Sequence, residues 1–139
     1  MNNITIEPTE FTPQVVLDKD QEIFIIKGES RPENANEFFN PITKWLDEYY
    51  NFSYFKINKS SKESSKEPLY FTFSFDYFNS TSAKFILDIV FKIRKINTEV
   101  QSFHIKWMYD ELDIDMKEAG EEFQKMVKDV TFIFKVNKD

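Results

Sequence analysis

The sequence predicts an α/β domain on a mixed sheet, with antiparallel strands at the N-terminus and helices mainly on one face. Residues 69–77 and 100–109 alternate apolar and polar side chains with the period of two expected of a strand buried on one side. Segments of helical period stand before, between and after them, around Trp45, Ile89 and Met116. The order is therefore strands, helix, strand, helix, strand, helix, strand, and helical crossovers between successive strands make the central ones parallel.

Ile4–Ile6, Gln14–Asp18 and residues 22–27 read as short strands, the last two joined by a polar turn at Lys19 and Asp20 that suits a hairpin. From Glu33 the period changes. Phe38, Ile42, Trp45, Leu46 and Tyr49 fall on one helical face, with Pro41 expected in the first turn or at a kink. Residues 56–68, rich in Lys, Ser and Glu, have no apolar periodicity beyond Ile57 and are expected to form a mobile loop. In the next strand Leu69, Phe71, Phe73, Phe75 and Tyr77 alternate with Tyr70, Thr72, Ser74 and Asp76.

A helix from about Ser80 to Ile96 is apolar almost all round and is expected to pack along most of its circumference. Its charged stripe spaces Lys84, Asp88 and Lys92 for i,i+4 pairs. Phe103, Ile105, Trp107 and Tyr109 then alternate with Ser102, His104 and Lys106. A third helix from about Asp113 turns Met116, Ala119, Gly120, Phe123, Met126 and Val127 inward, with acids in its first turns where the helix dipole favours them. Residues 131–136 close the sheet. Nothing marks a second domain, so residues 1–139 are expected to form one.

Composition narrows the function. Sixteen Phe, six Tyr and two Trp against two Gly make aromatic burial the main source of stability. Two glycines cannot supply a phosphate-binding loop or a dinucleotide fingerprint. The absence of cysteine removes thiolate metal sites and cysteine nucleophiles. The net charge is −6, and residues 110–122 alone carry seven acids against Lys117, so no basic face is expected for nucleic acid. With no long apolar run and no signal-like N-terminus, the expectation is a soluble, cytoplasmic protein without membrane insertion.

Asp110, Asp113 and Asp115 lack the glycine and closing glutamate of a cation loop and read as a helix start, so no metal and no cofactor is expected. His104, the single histidine, could join Asp76 and Ser74 on the uncovered sheet face. That arrangement would suit a minimal hydrolase or a small-molecule module. The more informative segment is Tyr77, Phe78, Asn79, Ser80, Thr81, Ser82, Ala83, Lys84, where a strand runs into a helix through three consecutive hydroxyls. A helix start offers unpaired N–H groups and the positive end of the dipole, so this junction suits either plain capping or a phosphoryl group.

Gly28, Glu29, Ser30, Arg31, Pro32, Glu33 and Asn34, the Tyr77 to Lys84 junction, and Trp107, Met108, Tyr109 and Asp110 with its acidic continuation together resemble the SiaC family of bacterial regulatory phosphoproteins. The likeness spans nearly the whole chain, from the region of Thr9, Thr12 and Pro13 to the third helix. It implies a STAS-like fold, similar to anti-sigma-factor antagonists, and a non-enzymatic role in cyclic-di-GMP signalling. One junction hydroxyl would be phosphorylated by a partner kinase and released by a phosphatase, and the unmodified form would bind and activate a diguanylate cyclase. Family members commonly read Asn, Thr, Ser, Ser here, which carries the acceptor onto Ser80, directly after Asn79. Because this chain reads Ser then Thr, Thr81 is the alternative. The partner surface would centre on Asn79, Ser80, Thr81 and Ser82 with Lys84, extending to Arg31, Glu33 and Asn34.

Overall fold

The computed structural model describes residues 1–59 and 67–138. Along the chain come β1 (Ile4–Ile6), β2 (Gln14–Asp18), β3 (Ile23–Ser30), α1 (Ala35–Lys59), β4 (Leu69–Phe78), α2 (Ser80–Glu99), β5 (Phe103–Tyr109), α3 (Ile114–Met126) and β6 (Phe132–Val136). The strands form one sheet in chain order, with β1 and β6 at its edges. β1, β2 and β3 pair antiparallel, and β3 to β6 pair parallel. The mixed sheet expected from the pattern is the one observed.

The β2–β3 turn is tighter in chemistry than its sequence suggests. Asp18 Oδ1 accepts the backbone N–H groups of Asp20 and Gln21, both at 2.9 Å, and Glu22 takes the left-handed conformation at φ 58°. β3 then runs three residues beyond the expected Lys27, to Ser30. It does so through a bulge at Gly28, whose φ of +121° excludes most side chains and whose missing Cβ would lie 3.6 Å from Pro13 Cα.

Asn34 caps α1, its Oδ1 accepting the Glu37 N–H at 3.0 Å. Pro41 lies in the second turn of this 25-residue helix, past the first turn that is one of its two expected places. The helix also continues through Lys59, because no Gly or Pro interrupts residues 42–67. Lys56 to Lys59 are thus helical, correcting the loop expected over residues 56–68. Of that expected loop, residues 60–66 lie outside the described residues.

All three helices pack on one face of the sheet. Phe24 of β3 meets Trp45 and Tyr49 of α1 at ring distances of 6.0 and 5.5 Å, and lies 5.1 Å from Phe103 of β5. α2 buries Ser82, Ile86, Ile89, Val90, Ile93 and Ile96, while Phe91 stays 37% exposed. Packing therefore takes one face of α2, less than the all-round burial its composition suggests. Its charged residues do not pair along the helix among the described residues. Lys92 instead reaches Asp47 of α1 at 2.9 Å. Nearby, Tyr50 of α1 donates to Glu99, which pushes the phenol up to about 12, and Lys95 lies 4.4 Å from the Tyr50 ring.

At the other end of the core, Trp107 is fully buried and donates its indole N–H to the Met116 carbonyl at 2.9 Å. Phe73, Phe75, Phe78 and Phe123 surround it at ring distances of 5.5 to 6.4 Å. α3 can approach so closely because Gly120 faces the indole, where an added Cβ would stand 2.6 Å from the ring. Met126, expected to point inward, is 52% exposed, and the buried Val127 closes the helix instead.

Gly120→Ala should lower stability by about 1 to 2 kcal/mol. The overpacking cost against a ring fixed on all sides exceeds the roughly 1 kcal/mol that alanine adds to helix propensity. A fall in the urea midpoint at unchanged slope, with a shifted Trp107 emission, is the expected outcome; an unchanged or raised midpoint would show that the indole yields freely.

Candidate functional site

The junction between β4 and α2 is held from two directions. Asn79 is the N-cap of α2, with φ −88° and ψ 175°, and its Oδ1 accepts the Ser82 N–H at 2.8 Å. Its own N–H donates to the Ser30 carbonyl at 3.1 Å, and its carbonyl accepts the Ala83 N–H at 3.0 Å. The helix start is therefore pinned to the end of β3. This pinning uses the three residues of strand that the sequence pattern did not assign.

The three hydroxyls divide. Ser82 is completely buried, and its Oγ donates to the Ser30 carbonyl at 3.1 Å. With that proton committed, the Ser30 hydroxyl, also fully buried, supplies the hydrogen of the 2.9 Å contact between the two Oγ atoms. Ser82 thus cannot belong to a contact surface, which corrects its assignment as a partner-binding residue: its side chain locks α2 to β3. Ser80 and Thr81 are exposed. The Asn79 N–H is taken by the Ser30 carbonyl and the Ser82 N–H by the Asn79 side chain, so of the four that a helix start leaves without intrahelical partners, those of Ser80 and Thr81 remain. No acidic side chain occupies the first turn of α2. The positive end of this helix dipole is unmatched, whereas Glu37 stands in the first turn of α1 and Asp115 in that of α3.

Of the other residues assigned to this surface, Lys84, Glu33 and Arg31 are exposed, and Asn34 is exposed with its side chain engaged as the α1 cap. The Arg31 Nε donates to Glu29 Oε2 at 2.6 Å, and its guanidinium lies 4.5 Å from the ring of Phe11. The Arg31 N–H also donates to the Phe11 carbonyl at 2.8 Å, so the segment before β2 forms one wall of the junction. Phe11 and Tyr77, 45% and 47% exposed, place two rings on this rim. Sequence reasoning missed Ser30 and Phe11. Neither carries a local signal, since both act through contacts across the sheet.

The hydrolase arrangement does not form. His104 pairs in register with Tyr70, and the two rings meet edge to face at 5.6 Å. Ser74 lies four residues further along β4, about 13 Å away by strand rise, and its hydroxyl donates to Asn137 Oδ1 at 3.4 Å. Ser74 and Asp76 line an open cleft of about 550 Å³ with Lys27, Asp110, Asp113 and Lys138, and His104 takes no part in it. Asp110 Oδ1 accepts the Leu112 N–H and Asp113 Oδ1 the Met116 N–H, the helix-start roles expected of them. Among the described residues no group of three or more His, Asp or Glu is placed to hold a metal.

A model of the SiaC family of regulatory phosphoproteins matches residues 6–137. An uncharacterized protein of Pseudomonas aeruginosa strain UCBPP-PA14 is 24% identical over 136 residues, covering 98% of this chain and 96% of that protein. Among solved structures, SiaC of Pseudomonas aeruginosa superposes with a TM-score of 0.78 at 22% identity, over 99% of this chain and all of that one. The crystal structure of the diguanylate cyclase SiaD in complex with its activator SiaC, from the same organism, gives a TM-score of 0.79 at 22% identity, covering 96% of this chain and 99% of the matched one. At these identities the structural likeness is one of fold.

The division of the hydroxyls predicts separable effects on stability. Ser82→Ala should cost about 1 to 3 kcal/mol, because it strands the buried Ser30 hydroxyl, and Asn79→Ala about 1 kcal/mol through the lost cap. Ser80→Ala should stay within about 0.5 kcal/mol of the parent. Denaturant unfolding of the three variants checks the order, and equal losses at Ser80 and Ser82 would contradict it.

Proposed function

This chain belongs to the SiaC family of regulatory phosphoproteins, and from that membership we propose that it is a non-enzymatic adaptor switched by phosphorylation at Ser80. In this reading a partner kinase modifies the hydroxyl, a phosphatase removes the group, and the unmodified protein binds and activates a diguanylate cyclase in the cytoplasm. The observation that carries it is the junction itself, with Ser80 exposed on a helix start whose first turn lacks an acid while Ser82 is sealed below. Among the described residues no helix is long and apolar enough to cross a membrane.

The physical consequence of modification follows from charge. A phosphoryl group adds roughly −1.5 to −2 at pH 7. The unmatched dipole of α2, its two remaining N–H groups and Lys84 one turn on would stabilise that charge within the protein. A partner packed on the neutral hydroxyls would instead meet a hydrated dianion. Removing its water without a matching cation costs several kcal/mol, and about 1.4 kcal/mol already changes affinity tenfold. Arg31 does not cancel the effect in the unmodified protein, since it is paired with Glu29.

Ser80→Ala should abolish phosphate incorporation by the host's kinase while leaving cyclase activation intact, and Ser80→Asp should weaken cyclase binding about tenfold or more. Phosphosite mapping, binding isotherms and a cyclic-di-GMP synthesis assay read the three effects. Loss of labelling in Thr81→Ala with retention in Ser80→Ala would move the acceptor to Thr81. Full labelling of both variants with unchanged binding would remove this site from the mechanism.

A further inference from the structure

The guanidinium of Arg31 is held on the rim of the junction by two weak contacts. Its Nε donates to Glu29 Oε2 at 2.6 Å, and the group lies 4.5 Å from the centre of the Phe11 ring. The ion pair is open to water, with the Arg31 side chain 42% and the Glu29 side chain 31% exposed. Such pairs add little to stability, and a cation over an exposed ring adds little more. The bond to Glu29 also uses Nε alone. The two terminal nitrogens, which carry the rest of the donor fork, have no partner among the described residues.

The backbone brings this group to Ser80. Arg31 follows Ser30, whose carbonyl accepts the Asn79 N–H at 3.1 Å, and Ser80 follows Asn79. Standard backbone dimensions therefore keep the Cα atoms of Arg31 and Ser80 within about 11 Å of each other. An extended arginine and a phosphoserine, joined by a hydrogen bond of about 2.8 Å, span that interval. Departure of the guanidinium does not release Phe11, because its turn holds itself. The Thr9 N–H donates to the Thr12 carbonyl at 2.9 Å, and Thr9 Oγ1 accepts the N–H groups of Phe11 and Thr12 at 3.1 and 3.0 Å. The 2.8 Å bond from the Arg31 N–H to the Phe11 carbonyl is likewise untouched by a turn of the side chain.

We propose that phosphorylation of Ser80 draws the Arg31 guanidinium off Glu29 and Phe11 and onto the phosphoryl group, so that the two forms of the protein differ across the whole rim. A dianion with three acceptor oxygens engages the planar fork bidentately, where Glu29 offers one charge to one nitrogen. The exchange leaves the charge added to the surface intact, because what Arg31 cancels at the phosphoryl group it ceases to cancel at Glu29. A partner of the unmodified form meets a ring capped by a cation beside a neutralised carboxylate. After modification it meets a bare Phe11 ring, an unpaired Glu29 and an occupied Ser80. The proposal rests on Ser80 as the modified residue and adds how that modification is read by the protein itself.

The test installs phosphoserine at position 80 during translation and follows the isotope-labelled protein by NMR. Relative to the unmodified parent, the Arg31 Nε–Hε signal and the Phe11 ring signals should move, and in Arg31→Gln the Phe11 ring signals should hold one position with and without the phosphoryl group. The second ionisation of that group, ordinarily at about pH 6, should lie about half a unit or more higher in Arg31→Gln than in the parent, because the neighbouring cation favours the dianion. Arg31→Lys, which keeps the charge without the fork, should fall between the two. An unmoved Arg31 Nε–Hε signal, or ionisation at the same pH in parent and Arg31→Gln, would overturn the proposal. So would a rise confined to Lys84→Gln, which gives the phosphoryl group to Lys84. These signals need neither kinase nor cyclase, so they fail separately from the assignment of Ser80 as acceptor, which kinase labelling decides.

Discussion

A pair of buried serine hydroxyls, Ser30 and Ser82, sets the geometry on which the junction between β4 and α2 depends. They are 52 residues apart in sequence and join the last residue of a strand to the third residue of a helix. Hydrogen bonds in such a dry position are modest in net strength but costly to leave half made, so the two side chains hold one arrangement rather than several. That arrangement decides which hydroxyls face water. With Ser82 turned inward, the helical rotation of about 100° per residue carries Ser80 and Thr81 outward. A single buried contact thus separates one structural hydroxyl from two solvent-facing ones inside a run of three.

The aromatic core makes this end stiff. Trp107 fills the space below α3, is hydrogen bonded to the Met116 carbonyl and is ringed by phenylalanines from β4 and α3. Phe78, the last residue of β4, is itself one of those rings, so the strand reaches Asn79 with its direction already fixed. Stability and site are linked through that residue. Repacking around the indole would be felt at the cap two positions before Thr81, and the preorganisation of the helix start would suffer before the sheet as a whole did.

Much of this was legible from residue order. The period of two in β4 and β5, the helical period of α1 and α2, and the acids at the start of α3 specify their elements locally, because each side chain's burial follows from its own position along a strand or helix. The Asn79 cap and the exposed Ser80 and Thr81 belong to the same class. What the pattern could not reveal depends on contacts between distant segments. The extension of β3 to Ser30 needs the Gly28 bulge against Pro13, and the burial of Ser82 needs Ser30. Lys92 pairs with Asp47 on a neighbouring helix rather than with Asp88 on its own. The overrun of α1 to Lys59 reflects a stretch without breakers, whose hydrophilic composition reads equally well as loop.

The margins of the sheet bear on how such an aromatic-rich chain stays dispersed. β1 offers only three residues of unsatisfied backbone at one rim before Glu7 and Pro8, and β6 places the exposed Lys135 at the other. Short, charged or proline-flanked borders are poor templates for strand addition by another molecule. A polypeptide with sixteen phenylalanines therefore carries its own guard against fibrillar accretion at the borders of its sheet.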